Sequence, residues 1–197
     1  MVVGITGSIG SGKSFVSKEL CSFPNTIYYH ADEEAKKLMH DSIEIKKQII
    51  EIFGEQSYVD DRLNSTYISS IVFQDSEKLK ELNSIVHPLV KKHFQEFIAE
   101  HKERIIIYEN AILFEVDSDQ ACDFTISITA PIEERIKRVM ERDRTSEEEV
   151  LKRMRNQWTQ EKKSILANYV IENIEKETTL LKIKKIHNIL TKKQSFF

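Results

Sequence analysis

Apolar, mostly β-branched residues run without a break from Val2 to Thr6 and stop at Gly7, the pattern of a strand covered on both faces. After Lys13 the spacing changes: Phe15, Val16, Leu20 and Phe23 recur at helical intervals until Pro24 closes the segment. Residues 26–29 read as a second strand, and from Ala31 the pattern turns helical through Ala35, Leu38 and Met39. Asp41 or Ser42 is placed to cap a further helix, with Ile45, Ile49, Ile50 and Phe53 as its apolar stripe and Gly54 as its end.

Between residues 55 and 102 no strong strand pattern is present. Tyr67, Ile68, Ile71 and Val72, then Leu79, Leu82, Ile85 and Val86, form helical stripes instead. His87 and Pro88 should interrupt them, because proline lacks a donor and disfavours helix in the residue before it, while fitting the first turn of a new helix. Leu89, Val90, Phe94, Phe97 and Ile98 supply that new stripe. Residues 104–108 and 124–129 are two more buried-strand candidates. A long charged helical region follows over 132–158, read as two helices meeting near Thr145 and Ser146, where Ser146 and Glu149 match a capping box. A short fifth strand at 169–171 and a last helix at 174–190 complete the pattern.

Strands that alternate with helices predict an α/β fold with a parallel five-stranded sheet and helices on both faces. The expected organisation is a core of residues 1–54, 103–131 and 165–197, a helical insertion at 55–102, and an Arg-rich lid region at 132–164.

Composition narrows the function classes. With 197 residues, 40% hydrophobic and 31% charged, the chain has enough apolar side chains to fold, unlike a disordered segment. A net charge of -3 gives no general attraction for nucleic acid or an anionic membrane, so any anion site must arise from local charge placement. No apolar run approaches the length of a membrane span. Cys21 and Cys122 are far apart, without a CxxC pattern, and suggest buried thiols in a reducing compartment. A cytoplasmic enzyme is expected.

The chemistry begins at Gly7, Ser8, Ile9, Gly10, Ser11, Gly12, Lys13 and Ser14, which match GxxxxGK followed by Ser or Thr. In such a loop backbone N–H groups turn toward an anion, the next helix presents its positive end, and glycines keep bulk out of the way. Lys13 is then expected on the β- and γ-phosphates of ATP, and Ser14 on Mg²⁺. Four of the five glycines, Gly4, Gly7, Gly10 and Gly12, lie in the first twelve residues, between a strand pattern and a helix pattern.

Asp32 follows the second strand, where the ligand crevice of an open parallel sheet is found. Two readings stay open for it: accepting the proton of an attacking hydroxyl, or capping the helix that starts near Glu33. Glu109 and Glu115 bracket the end of the third strand, with a Mg²⁺ or substrate contact and a plain surface role as alternatives. Six of the eight arginines fall between Arg135 and Arg155. Arg135, Arg138 and Arg142 share one helix face, and two or three of the cluster are expected on phosphate, the rest on a solvated face. His87 reads as a helix-turn residue, Trp158 as core.

These residues resemble the dephospho-coenzyme A kinases over nearly the whole chain. GITGSIGSGKS is similar to that family's N-terminal element, HAD to its DAD, IVF and HPLV to its VF and HPxV pair, and AILFE to its PLLFE. The stretch through Arg135, Arg142, Arg153, Gln157 and Lys163 to ANYVIEN resembles its lid and terminal motif. The resemblance implies a P-loop NTPase-type core with a helical substrate-binding insertion and a helical lid, phosphorylating the ribose 3′-hydroxyl of dephospho-coenzyme A with ATP and Mg²⁺.

Residue by residue it implies Asp32, Lys13 and Arg142 as catalytic. Gly10, Ser11, Gly12, Lys13, Ser14, Phe15 and Asn173 bind the nucleotide, with Asn173 near the adenine. Asp32, His87, Pro88, Glu115 and Arg142 bind the acceptor, and Ser14 holds the metal. The partner would be the small-molecule substrate alone, with no nucleic acid or membrane, and the enzyme a monomer or weak homo-oligomer. The sequence departs from the family pattern at Ser8, Phe15, His30, Ser65, Ala111 and Asn168. Another P-loop kinase of nucleosides or nucleotides, or a nucleotide-dependent switch, are the alternatives.

Overall fold

The computed structural model describes residues 1–72 and 74–194; Phe73 of the IVF element and the last three positions of the expected core range lie outside them. The elements run in the order β1 (Val2–Thr6), α1 (Lys13–Cys21), β2 (Thr26–His30), α2 (Ala31–Asp41), α3 (Ile43–Phe53), β3 (Tyr58–Val59), β4 (Arg62–Leu63), α4 (Ser65–Val72) and α5 (Ser76–Glu100). They continue with β5 (Ile105–Glu109), β6 (Phe124–Thr129), α6 (Ile132–Asp143), α7 (Glu147–Arg155), α8 (Gln160–Leu166), β7 (Tyr169–Glu172) and α9 (Lys176–Gln194).

The chain forms two compact units, one made of Met1–His30 with everything from Ile98 onward, the other of Ala31–Phe97. In the first, five strands form a wholly parallel sheet in the order β2-β5-β1-β6-β7. Every residue of β1, β5 and β6 is buried, as in strands covered on both faces. Val3, Ile5, Ile105, Ile107, Ile126, Ile128 and Ile171 pack with Val16 and Leu20 of α1 and Ile183, Ile186 and Leu190 of α9 in one core. On the other face Gly4 is closed over so tightly that a Cβ there would come within 2.8 Å of Cys122 Sγ and 2.9 Å of Leu113. Burial pushes the thiols of Cys21 and Cys122 up to about 12, which favours the protonated form at neutral pH.

The second unit has its own core, where Met39, Ile45, Ile49, Phe53, Tyr58, Ile68, Val72 and Val86 meet. Ser42 caps α3, its hydroxyl accepting from Ile45 N at 3.4 Å. Tyr58 is buried and Tyr67 half-buried against this core, and their hydroxyls donate to Met39 O at 2.7 Å and Phe53 O at 2.9 Å, as phenols taken from water require.

Three features differ from the sequence reading. His87 and Pro88 do not break the helix: α5 runs unbroken over Ser76–Glu100 with Pro88 inside it. An interior proline costs roughly 3 kcal/mol, but Leu82, Ile85, Val86, Leu89 and Val90 stay in helical phase across it and pack on one core. The antiparallel pair β3–β4 was not legible as strands; it turns on Asp60 and Asp61, both left-handed at φ 48° and 65°, a hairpin turn in which Asp stands where Gly or Asn is usual. The unexpected α8 is capped by Thr159, whose hydroxyl accepts from Lys162 N at 3.3 Å, and the only one of its residues that is buried is Lys163, so apolar periodicity had nothing to detect.

Among the described residues no helix is long and apolar enough to cross a membrane.

Candidate active site

β1 delivers the chain to the carboxyl edge of the sheet, and the glycine loop turns it back into α1. Gly10 at φ 79° and Gly12 at φ 88° occupy the left-handed region, which side chains other than glycine enter at a cost. Space forbids them as well: a Cβ at Gly10 would lie 2.5 Å from the backbone oxygen of Arg135, and one at Gly12 would run into Asn173 Nδ2. Ser11 N donates to Ser8 O at 3.1 Å and Val16 N to Gly12 O at 3.3 Å, so α1 opens directly out of the bend. Its first turn holds no acidic residue, leaving the positive helix end uncancelled for an anion. Gly10→Ala should therefore destabilise the protein by about 1–3 kcal/mol, read as a lowered melting temperature; an unchanged melt would mean the loop relaxes without strain.

Two side chains brace the loop from outside. Asn173 is buried; its Nδ2 donates to Ser11 O at 2.8 Å, its own N–H to Thr129 O at 2.8 Å, and its Oδ1 accepts from Thr179 Oγ1 at 3.2 Å. Arg138 adds a bond from Nη1 to Asn173 O at 3.1 Å. On the other side Ile9 N donates to Gln157 Oε1 at 2.9 Å. Asn173 was expected near the adenine; in the structure its amide is spent on the loop backbone.

The acidic partner of the loop comes from β5. Strand register sets Ile5 of β1 and His30 of β2 beside Glu109, whose side chain is almost fully buried at 3% exposure. Glu109 Oε1 accepts from Ser14 Oγ at 2.7 Å, and Oε2 from Tyr28 OH at 2.5 Å. His30 Nε2 stands 3.6 Å from Oε1. Lys13 Nζ is 3.5 Å from Ser8 O, at the mouth of the loop. Ser14 is exposed, so its hydroxyl and the Glu109 carboxylate offer hard oxygen donors beside the bend. That set suits Mg²⁺, which keeps several waters and needs one or two protein oxygens plus substrate phosphates. Among the described residues no larger His, Cys, Asp or Glu group could hold a metal.

Phe15 packs half-buried against the sheet core. Glu115 is turned inward: Oε1 accepts from Lys163 Nζ at 2.8 Å and from Trp158 N at 3.0 Å, while Lys163 also donates to Ala111 O at 2.5 Å. Lys163 is wholly buried, and that burial pulls its pKa down against the opposing pull of Glu115. Arg142 is exposed and forks onto Asp143 through Nε at 2.7 Å and Nη2 at 3.0 Å. Arg153 reaches the same carboxylate at 2.6 Å, and the two arginines hold Asp143 below the usual carboxylate range. Arg135 is buried with its backbone against Gly10, and desolvation lowers its pKa.

The remaining expected residues belong to the other unit. Asp32 is exposed in the first turn of α2 with Glu33 and Glu34. Because that helix starts at Ala31, Asp32 stands inside the turn rather than at its cap. His87 is half-buried in α5, with its pKa lowered by desolvation, and Pro88 beside it is exposed. The structure thus gathers Gly10, Ser11, Gly12, Lys13, Ser14 and Asn173 with Glu109 in one place, and sets Glu115 with Lys163. Gln157 was read only as part of the lid stretch that resembles the family, with no contact assigned to it, and no role was read for Tyr28, since neither carries a charge that announces a contact.

The sequence model of the family described as dephospho-CoA kinase matches residues 1–178. A dephospho-CoA kinase of Bacteroides fragilis is 38% identical over 173 residues, covering 87% of this chain and 83% of its own. One from Salinibacter ruber is also 38% identical, over 175 residues and 87% of each chain. Among solved structures, that of TT1252 from Thermus thermophilus superposes with a TM-score of 0.83 at 33% identity, covering 98% of this chain and 97% of the other. A shikimate kinase from Bacteroides thetaiotaomicron, at 12% identity and a TM-score of 0.55 over 97% and 98% of the chains, shares the fold alone. With a family match across most of its length and relatives well above 30% identity, the chain belongs to the dephospho-CoA kinase family.

Proposed function

We propose that the protein transfers the γ-phosphoryl group of ATP to the ribose 3′-hydroxyl of dephospho-CoA, giving ADP and CoA, the closing step of CoA synthesis. What carries this reading is the cluster of Lys13, Ser14 and Glu109 at the anion loop, within a chain matched to that family over residues 1–178.

The glycine loop and the N-terminus of α1 hold the β- and γ-phosphates through backbone N–H groups. Lys13 spreads its charge over the same oxygens. Ser14 and Glu109 would hold Mg²⁺, which supplies charge neutralisation at the phosphates. Asp32 orients the acceptor hydroxyl and takes its proton, the oxygen bonds to the γ-phosphorus, and the bond to the bridging oxygen breaks so that ADP leaves with the electron pair. Arg142, in the Arg-rich lid region of residues 132–164, exchanges Asp143 for the transferring phosphoryl, which a surface ion pair of small net worth permits. His87 and Pro88 belong to the acceptor-binding insertion, and a neutral His87, as its burial favours, offers a hydrogen bond without a charge.

Purified protein with ATP, Mg²⁺ and dephospho-CoA should form ADP and CoA in equal amounts. ADP release without CoA, or equal turnover on nucleosides, would replace this reading with one of its rivals.

A further inference from the structure

The peptide unit joining Ser8 to Ile9 is held from both ends. Its carbonyl, Ser8 O, accepts from Ser11 N at 3.1 Å and lies 3.5 Å from Lys13 Nζ. Its N–H, on Ile9, donates to Gln157 Oε1 at 2.9 Å. A rotation of this peptide would release the amide from Gln157 and swing the carbonyl away from the lysine in the same movement. Gln157 is itself pinned. The next residue, Trp158, donates its N–H to Glu115 Oε1 at 3.0 Å. That oxygen also takes Lys163 Nζ at 2.8 Å, and Lys163 binds Ala111 O at 2.5 Å. Because Lys163 is wholly buried, this pair cannot trade its partners for water, and a buried charge that loses its partner is costly. The turn between α7 and α8 is therefore fixed to the segment after β5, and from there Gln157 reaches the loop.

We infer that Gln157 is a positioning residue for phosphoryl transfer: it sets the Ser8–Ile9 peptide so that Ser8 O steadies Lys13 and the amides from Gly10 onward face the phosphates. It touches no substrate. Glu115 and Lys163 serve as its anchor. The inference rests on the nucleotide-binding reading of the loop.

Gln157→Met keeps the length of the side chain and removes the acceptor. In the full-length protein it should weaken ATP binding about tenfold, the consequence of leaving one part-buried amide without its acceptor. The KM for dephospho-CoA should hold, and the melting temperature should fall by no more than about 2–4 °C. The Ile9 amide should exchange with solvent faster while those of Val3 and Ile5 in β1 keep their protection, and Gln157→Glu, which retains an oxygen, should restore slow exchange at Ile9. Unchanged ATP affinity in Gln157→Met would overturn the inference. So would a parallel loss of both KM values and of melting temperature, which marks a merely structural residue. Wild-type protein titrated alongside separates the two levels: if it binds no ATP, the nucleotide reading fails first.

Discussion

Asp32→Asn should lower kcat by roughly 10²–10⁴-fold, the usual contribution of a positioned proton acceptor, while leaving ATP affinity nearly intact. The amide keeps the size and one oxygen of the carboxylate but cannot take up the hydroxyl proton. Stability does not explain such a loss in advance. Asp32 is exposed and shares the first turn of α2 with Glu33 and Glu34, so removing one carboxylate from that positive helix end costs only about 0.3–1 kcal/mol. Steady-state ADP release with dephospho-CoA in excess, beside a thermal melt, separates turnover from folding. A variant with wild-type kcat would take Asp32 out of proton transfer and leave it a helix-terminus acid.

The sheet was legible because its strands are written in one alphabet. Val2–Thr6, Ile105–Glu109 and Phe124–Thr129 are buried on both faces, and runs rich in β-branched residues mark them, with only small hydroxyl side chains alternating through the third. Cap chemistry was equally readable: Ser42 and Ser146 accept from the backbone three residues on, Ile45 N and Glu149 N. What periodicity missed were elements whose inward face is not apolar, or too short to repeat. α8 buries a lysine, and β3–β4 has two residues per strand. Pro88 misled for the opposite reason, since the local rule against interior proline yielded to a hydrophobic stripe that continues on both sides of it.

In the site, the residues legible from sequence are those whose backbone makes the motif. Gly10 and Gly12 must be glycine for reasons of conformation and space, and Lys13 and Ser14 follow at fixed offsets. Residues joined across long stretches of chain leave no spacing to read. Ser14 of α1 meets Glu109 of β5, and Tyr28 joins it from β2, yet Glu109 in sequence is one acid at a strand end. Glu115 is likewise one acid among many until Lys163 arrives from 48 positions further along. Family likeness names such positions, but only the contacts tell which carboxylate faces the anion loop and which faces inward.

Lys13→Met should damage both steps that involve ATP. Lys13 opens α1 directly behind Gly12 and brings a full charge to a bend otherwise built from partial ones. In the proposed ground state that charge would help hold the phosphates, so the KM for ATP should rise. In the transition state negative charge gathers on the oxygens of the transferring group, and removing one preorganised donor of this kind typically costs about 10²–10³ in kcat. Lys13→Arg should not rescue it, because a planar guanidinium needs width for its fork where an ammonium is a compact point charge, and the left-handed Gly12 with Asn173 packed against it leaves the bend no slack. The fold should tolerate both changes, since α1 is seated on the core by Val16, Ser17 and Leu20. Melting temperature within a few degrees of wild type, with kcat and ATP affinity both lost, is the expected result. A Lys13→Met protein with unaltered steady-state kinetics would mean that no nucleotide phosphate sits in this loop.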